Sequence, residues 1–295
     1  MISSSSFANV AEKKTMDIYK ENNMPTPLPS IERNTHLTLG HSLNNNSEET
    51  EYWAVLVGIN DYPGQSNDLP YSINEISSFE NALLHGENWL PSHIQVLSDE
   101  SASREGIFDA LEWLDEQEDE NDVSVFYYVG HGSQDYGVNE SLSVYNSKIY
   151  DEELDIQLDN LEGRVVIILD CCHSGGFIEE LGQMKRVILT ACSKDEIAYQ
   201  VDDLKSGIFG YFVNICLGKL TKTAEVTFLC SWICTIYYTI QLSEEYNEDY
   251  TMHPKIYDGC FGPVKIIKRN SLTPVSFQQL LPFQTQHNSS KIWKL

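Results

Sequence analysis

Val165-Val166-Ile167-Ile168-Leu169-Asp170-Cys171-Cys172-His173-Ser174-Gly175-Gly176 joins an apolar run to a carboxylate, two thiols and an imidazole. An apolar run of this length bounded by glycines reads as a strand buried on both faces, as in a parallel sheet. The polar cluster then falls at the strand's C-terminal end, the edge where open α/β sheets keep their sites. Side chains alternate along a strand, so Asp170 and Cys172 share one face, and Cys171 and His173 the other. His173 is therefore poorly placed as a base for Cys172, and the base is sought elsewhere.

A second polar insertion at a strand end supplies it. Val123 to Val129 (VSVFYYV) is a buried strand that runs into Gly130-His131-Gly132-Ser133. If the two strands are neighbours in a parallel sheet, His131 and Cys172 meet at one edge. A Cys beside a His is the usual source of a thiolate near neutral pH, with the imidazole then protonating a leaving amine. The flanking glycines let backbone N–H groups approach a substrate, so the Gly132 and Cys172 amides are candidates for an oxyanion hole.

Outward from these motifs, strands and helices alternate. Trp53 to Ile59 reads as a strand closed by the turn residues Asn60 to Gly64, and a helix follows on Ile73, Ile76, Ala82 and Leu83. A short strand at His93 to Leu97, a helix from Ser103 and a helix over Tyr150 to Leu161 come next, with a polar loop before the last. A strand at Arg186 to Ala191, a helix near Phe209 to Leu217 and an extended piece at Val264 to Ile267 complete the pattern. The alternation argues a mainly parallel sheet of about six strands with helices on both faces. Residues 1–50, rich in Ser, Asn, Thr and Pro, read as a flexible leader, 51–268 as one domain and 269–295 as a C-terminal tail.

With 44 acidic against 19 basic side chains the net charge is −25, which repels phosphate backbones and anionic lipid, so neither nucleic acid nor a membrane is an expected partner. The acidic run Glu112 to Asp122 reads as a solvated helix end and loop. Seven cysteines without regular spacing favour a reducing compartment, and no apolar signal segment opens the sequence, so a cytoplasmic location is expected. The uncharged stretch Val226 to Ser243 carries Ser231, Thr235 and Thr239, is short for a membrane span, and reads as a buried helix or strand.

The pair VGHGS and LDCCHSGG resembles the His and Cys motifs of caspase-like cysteine peptidases, above all metacaspases and their prokaryotic relatives, in which the second motif reads Asp-x-Cys-His-Ser-Gly. That alignment puts the nucleophile at Cys172, in agreement with the facing argument. The resemblance covers roughly residues 52 to 217, and His253 to Gly259 (HPKIYDG) looks like the tail of archaeal and bacterial members. It implies a caspase-hemoglobinase fold and a cysteine endopeptidase with a His131–Cys172 dyad that cleaves polypeptides after Arg or Lys, with self-processing at Lys13-Lys14, Arg33 or Lys205. It also implies an S1 pocket from Asp170, from Glu75 in place of the more usual Asp, and from Ser133. The alternatives are Asp170 as a strand-end residue bonded to backbone amides and Glu75 as an exposed helix residue.

Many metacaspases use calcium, and the corresponding positions are Glu140, Asp151, Glu152 and Glu179, although no cofactor is expected to be required. Cys230, Cys234, His253 and Cys260 have zinc-ligand chemistry but wide spacing. Residues 219–243 depart from the acidic, helix-forming stretch of similar prokaryotic proteins. The competing function is a catalytically silent caspase-like module that binds a partner.

Overall fold

The computed structural model describes residues 49–64, 67–135, 139–269 and 290–295, together with the backbone of Glu32 and Arg33. In chain order its strands are β1 (Glu32–Arg33), β2 (Tyr52–Gly58), β3 (Ile94–Ser98), β4 (Val123–Val129), β5 (Gly132–Asp135), β6 (Asn139–Val144) and β7 (Ser147–Tyr150). They continue with β8 (Arg164–Asp170), β9 (Arg186–Thr190), β10 (Tyr199–Val201), β11 (Ser206–Gly207), β12 (Lys255–Asp258) and β13 (Ile292–Lys294). The helices are α1 (Ser72–Leu84), α2 (Arg104–Gln117), α3 (Asp151–Leu158), α4 (Ile178–Leu181), α5 (Ile208–Lys219) and α6 (Ala224–Tyr246).

The main sheet has the order β12-β9-β8-β4-β2-β3, with the two-residue β1 beyond β12. From β9 to β3 every pairing is parallel, and β12 closes the far side antiparallel to β9. Every residue of β2 and β4 is buried, which is why their sequences run apolar without alternation. The connection β2-α1-β3 runs one way and those from β3 through β4, β8 and β9 run the other. Right-handed crossovers then place α1 on one face and α2, α3 and α4 on the opposite face. The direction reverses between β2 and β4, so the carboxyl ends of β2, β4 and β8 border a topological switch point.

The sixth strand is not the piece expected at Val264 to Ile267. Lys255–Asp258, inside the HPKIYDG segment, pairs with β9, while Lys265 makes only an isolated bridge to Thr223. The polar loop expected before Tyr150 is a three-stranded antiparallel sheet, β5-β6-β7. Its inward residues Leu142, Val144 and Ile149 are buried, and the alternation Leu142-Ser143-Val144 was the available signal.

Two acidic residues of the run Glu112 to Asp122 are buried rather than solvated. Asp122 accepts the Glu51 N–H at 2.7 Å and the Trp53 indole N–H at 3.2 Å, and Glu118 accepts the N–H groups of Glu162 (2.6 Å) and Gly163 (2.8 Å). Carboxylates there satisfy strand-entry amides that no ladder reaches.

The stretch 219–243 falls mostly in α6, which begins at Ala224, is capped by the Thr223 side chain accepting the Val226 N–H, and is ended by Asn247 in the left-handed region at φ 53°. It is long and apolar enough to cross a membrane, but most of it is buried in the fold. Two of its hydroxyls turn inward on the helix: Ser231 donates to the Phe228 carbonyl at 3.0 Å and Thr239 to that of Ile236 at 3.2 Å, so these two residues pack as apolar ones.

Packing of α5 against α6 brings Cys216 and Cys230 into a disulfide, with Cα atoms 6.1 Å apart, against the expectation of a wholly reduced set. With a sequence separation of 14 between the partners, reduction should remove about 3 kcal/mol of stability. Urea midpoints with and without dithiothreitol measure this. Thiol titration of the denatured, unreduced chain should count five groups of seven, and a count of seven would show the bridge absent.

Candidate active site

The two sequence motifs meet where the strand register sends them. Val129 on β4 lies opposite Asp170 on β8, so His131 and Cys172, each two residues further, leave the sheet side by side. The backbones touch: a Cβ placed on Gly132 would stand 2.2 Å from the Cys172 carbonyl oxygen, so only glycine fits between the motifs.

His131 is held from three directions. Its ring Nε2 lies 2.8 Å from the Asn67 carbonyl, which can only accept, so Nε2 carries the proton and Nδ1 the lone pair. Its N–H donates to the Tyr62 hydroxyl at 2.9 Å, the Tyr62 ring packs 4.9 Å from the imidazole, and its carbonyl accepts from the Tyr128 hydroxyl at 2.9 Å.

Cys172 is buried, and its thiol donates to the Ala198 carbonyl at 3.8 Å rather than to the imidazole. Burial pushes the thiol up to about 12, with the Ala198 contact and the Asp170 charge as smaller influences, so the resting group is a thiol. Its N–H donates to no acceptor among the described residues, as an oxyanion donor requires. Strand alternation ends at Asp170: His173 sits in the left-handed region at φ 59° and its Nδ1 bonds the Lys194 carbonyl at 2.8 Å, so it fixes the loop. Cys171 is fully buried, as a small apolar residue would be.

Glu75 on α1 and Asp170 at the end of β8 are both wholly buried and lie in hydrogen-bonding contact. Glu75 accepts from the Tyr127 hydroxyl at 2.5 Å, the Ser206 hydroxyl at 2.8 Å and the Gly207 N–H at 2.6 Å. Asp170 Oδ2 accepts the Gly210 N–H at 2.8 Å, while Oδ1 has no donor of its own. Two carboxyls in contact need a shared proton, and burial raises both, Asp170 well above the usual carboxylate range. Among the described residues no Lys or Arg forms an ion pair with either. Glu75 is thus not an exposed helix residue, and Asp170 does bond a backbone amide while also facing a second acid. Ser133 sits on β5, where its hydroxyl and that of Ser141 share a hydrogen bond at 2.8 Å.

A family match described as the caspase domain spans residues 51–234. The chain belongs to the caspase-domain family. Similar curated proteins include Metacaspase-4 of Arabidopsis thaliana, 33% identical over an alignment of 144 residues that covers 43% of this chain and 34% of the relative. Metacaspase-1 of Schizosaccharomyces pombe is 27% identical over 147 residues, 43% of this chain and 34% of the relative. Metacaspase-8 of Arabidopsis thaliana is 29% identical over 192 residues, 57% of this chain and 49% of the relative. This chain therefore spans between a third and a half of the length of these relatives. A crystal structure of a protein from Geobacter sulfurreducens shares the fold, with a TM-score of 0.53 at 15% identity over 70% of this chain and 92% of that one.

The carboxylates corresponding to a metacaspase calcium site do not converge in this caspase domain. Glu140 and Asp151 are neighbours, with the Glu140 N–H donating to Asp151 at 3.4 Å, but Glu140 also takes the Gln134 amide at 2.7 Å, and exposed Glu179 pairs with Lys194 at 2.7 Å. No three of Glu140, Asp151, Glu152 and Glu179 bring one oxygen each within 4.8 Å of one another, so the arrangement does not fit a calcium ion. The zinc set is not assembled either: Cys230 is bridged to Cys216 and His253 Nδ1 bonds Glu196.

Sequence reading missed the Asn67 carbonyl, the Tyr62 and Tyr128 hydroxyls, and the Tyr127–Ser206–Gly207 cradle of Glu75. Tyr127-Tyr128 could have been found: two hydroxyls at the end of a fully buried strand need partners on both faces. A carbonyl ligand such as Asn67 leaves no sequence signal, since every residue has one.

Proposed function

We propose that this caspase domain is a cysteine endopeptidase working through a His131–Cys172 dyad and cleaving after Arg or Lys. The observation that supports the specificity is the buried pair of acids Glu75 and Asp170 beside the nucleophile, with no Lys or Arg paired to either among the described residues. The Cys172 thiol gives its proton to His131 Nδ1 as sulfur attacks the carbonyl carbon, and the Gly132 and Cys172 N–H groups receive the oxyanion. His131 returns the proton to the amine nitrogen as the C–N bond breaks, leaving a thioester. Water then attacks the thioester, its proton passes through His131, and the carboxylic acid and free thiol are released. The Asn67 carbonyl keeps Nε2 protonated and Nδ1 free throughout. Treatment with a peptidyl-Arg fluoromethyl ketone, followed by mapping of the label, tests this. Modification at Cys172 is the expected result, and an unlabelled chain would return to the catalytically silent module.

Self-processing follows from the same reading. Lys205 is exposed in the turn between β10 and β11, whereas Arg186 is buried, paired with Asp159 at 2.7 Å and held in the β8–β9 ladder. Lys13 and Lys14 lie outside the described residues, and the Arg33 backbone is paired with Asp258. Cleavage at Lys205 should appear and cleavage at Lys185 or Arg186 should not, and neither should occur in Cys172→Ala. Mass spectrometry of the two proteins incubated side by side decides: identical fragments from both would exclude self-processing.

A further inference from the structure

Beside the nucleophile stands a strand whose open edge the chain itself fills. β10 has β11 on one side, and on the other it takes β13 antiparallel, with Tyr199 opposite Lys294, Gln200 opposite Trp293 and Val201 opposite Ile292. The pairing runs on to the nucleophile. The Leu295 N–H donates at 3.0 Å to the Ala198 carbonyl, the same oxygen that takes the Cys172 thiol. That N–H and the Lys294 charge also act directly on the sulfur, both favouring its ionised form.

Side chains anchor the segment at both ends. Leu295 is only 2% exposed although it lies at the edge of the fold, and the Trp293 ring packs edge-on against Tyr71 at 5.6 Å. Further back, the Lys291 N–H donates to the Asp202 carboxylate at 3.1 Å and its carbonyl accepts the Asp202 N–H at 3.1 Å. An extended chain added to a sheet edge, with a backbone N–H at the reactive sulfur, has the geometry of a bound peptide. An unpaired β10 would instead expose its ladder groups to water and to other chains.

We propose that residues 291–295 lie along the β10 edge as a resident pseudosubstrate that an incoming extended polypeptide must displace. The proposal rests on the peptidase reading for its consequence, but the docking itself is measurable without catalysis. The recognised partner is an extended segment, not a helix, because β10 offers it a ladder, with side chains seated as those of Trp293 and Leu295 are.

The test is alkylation of Cys172 by iodoacetamide in the full chain, with Cys171 and Cys172 resolved by tandem mass spectrometry. Trp293→Ala and Leu295→Asp, singly and together, should raise the rate at Cys172, the double variant by about tenfold or more. The hexapeptide Ser-Lys-Ile-Trp-Lys-Leu, matching residues 290–295, should restore protection to the double variant. Unchanged rates, or a rise that the peptide does not reverse, overturn the proposal, since an unfolded variant would gain reactivity without regaining protection. If the alkylation result holds while no variant hydrolyses Arg peptides, docking stands and the peptidase reading falls. If Arg peptides are hydrolysed with an unaltered KM and alkylation is also unaltered, the peptidase stands and the resident pseudosubstrate falls.

Discussion

Cys172→Ala is expected to lower hydrolysis of a peptidyl-Arg coumarin amide by about 10⁴-fold or more, and His131→Ala by a similar factor, because members of a nucleophile–base pair act as a unit. The double variant should be no worse than either single one. Cys171→Ala should keep most of the activity. Its sulfur lies in the wall behind Gly132, where a Cβ on that glycine would come within 2.9 Å of it, and it has no path to substrate. Its removal leaves a small cavity, worth about 1 kcal/mol of stability. Equal losses at Cys171 and Cys172 would contradict the assignment of the nucleophile, and full activity in His131→Ala would remove the base.

Asp170→Asn is expected to separate activity from stability. An Asn amide can donate to Glu75 where the shared proton now sits, and its carbonyl oxygen can accept the Gly210 N–H, so the packing survives. The loss falls on binding of a basic P1 residue, whose cation can draw the shared proton off the parent pair and meet two carboxylates but finds only Glu75 in the variant: losing one partner of a buried charge pair typically costs about 2–5 kcal/mol, tens- to thousands-fold in kcat/KM for Arg peptides. Stability moves the other way. Both carboxyls have folded values above their unfolded ones, so the pair's contribution is fully present below the unfolded pKa, near 4, and is lost as pH rises through the folded values. Asn has no proton to lose, so the variant should gain on the parent as pH rises above about 4, by about 2–4 °C in Tm for each kcal/mol. Thermal melts at several pH values check this. A Tm that falls at every pH would make Asp170 a structural strand-end residue, and a peptide library preferring Asp or apolar P1 residues would refute the basic pocket.

The parallel strands were legible because their signals are local. β4 begins and ends at the residues its apolar run marks out, and β2, β8 and β9 agree with theirs within one or two positions, since a strand buried on both faces must be apolar throughout. The β5-β6-β7 sheet carries as its local signal only the short alternation Leu142-Ser143-Val144 and the single buried apolar residue Ile149, beside the buried polar residues Glu140 and Ser141. The sixth strand was misplaced for a related reason. Lys255–Asp258 is four residues long and its burial depends on β9, whereas Val264 to Ile267 is more apolar but packs outside the sheet.

Within the motifs, apolar run length, a property of consecutive residues, was enough to put His131 and Asp170 at adjoining strand ends, whereas the preference for Cys172 over Cys171 came from the motif resemblance, since strand alternation stops at Asp170. Both acids were also visible there, but not their relation. That Glu75 and Asp170 share a buried site, that the Asn67 carbonyl sets the imidazole tautomer, that Cys216 meets Cys230 and that residues 291–295 lie along β10 emerged only from the folded arrangement. Each of these joins groups far apart in the chain through carbonyls, amides or side chains common at many positions, and only the packing of α1, α5 and α6 against the sheet selects which of them meet.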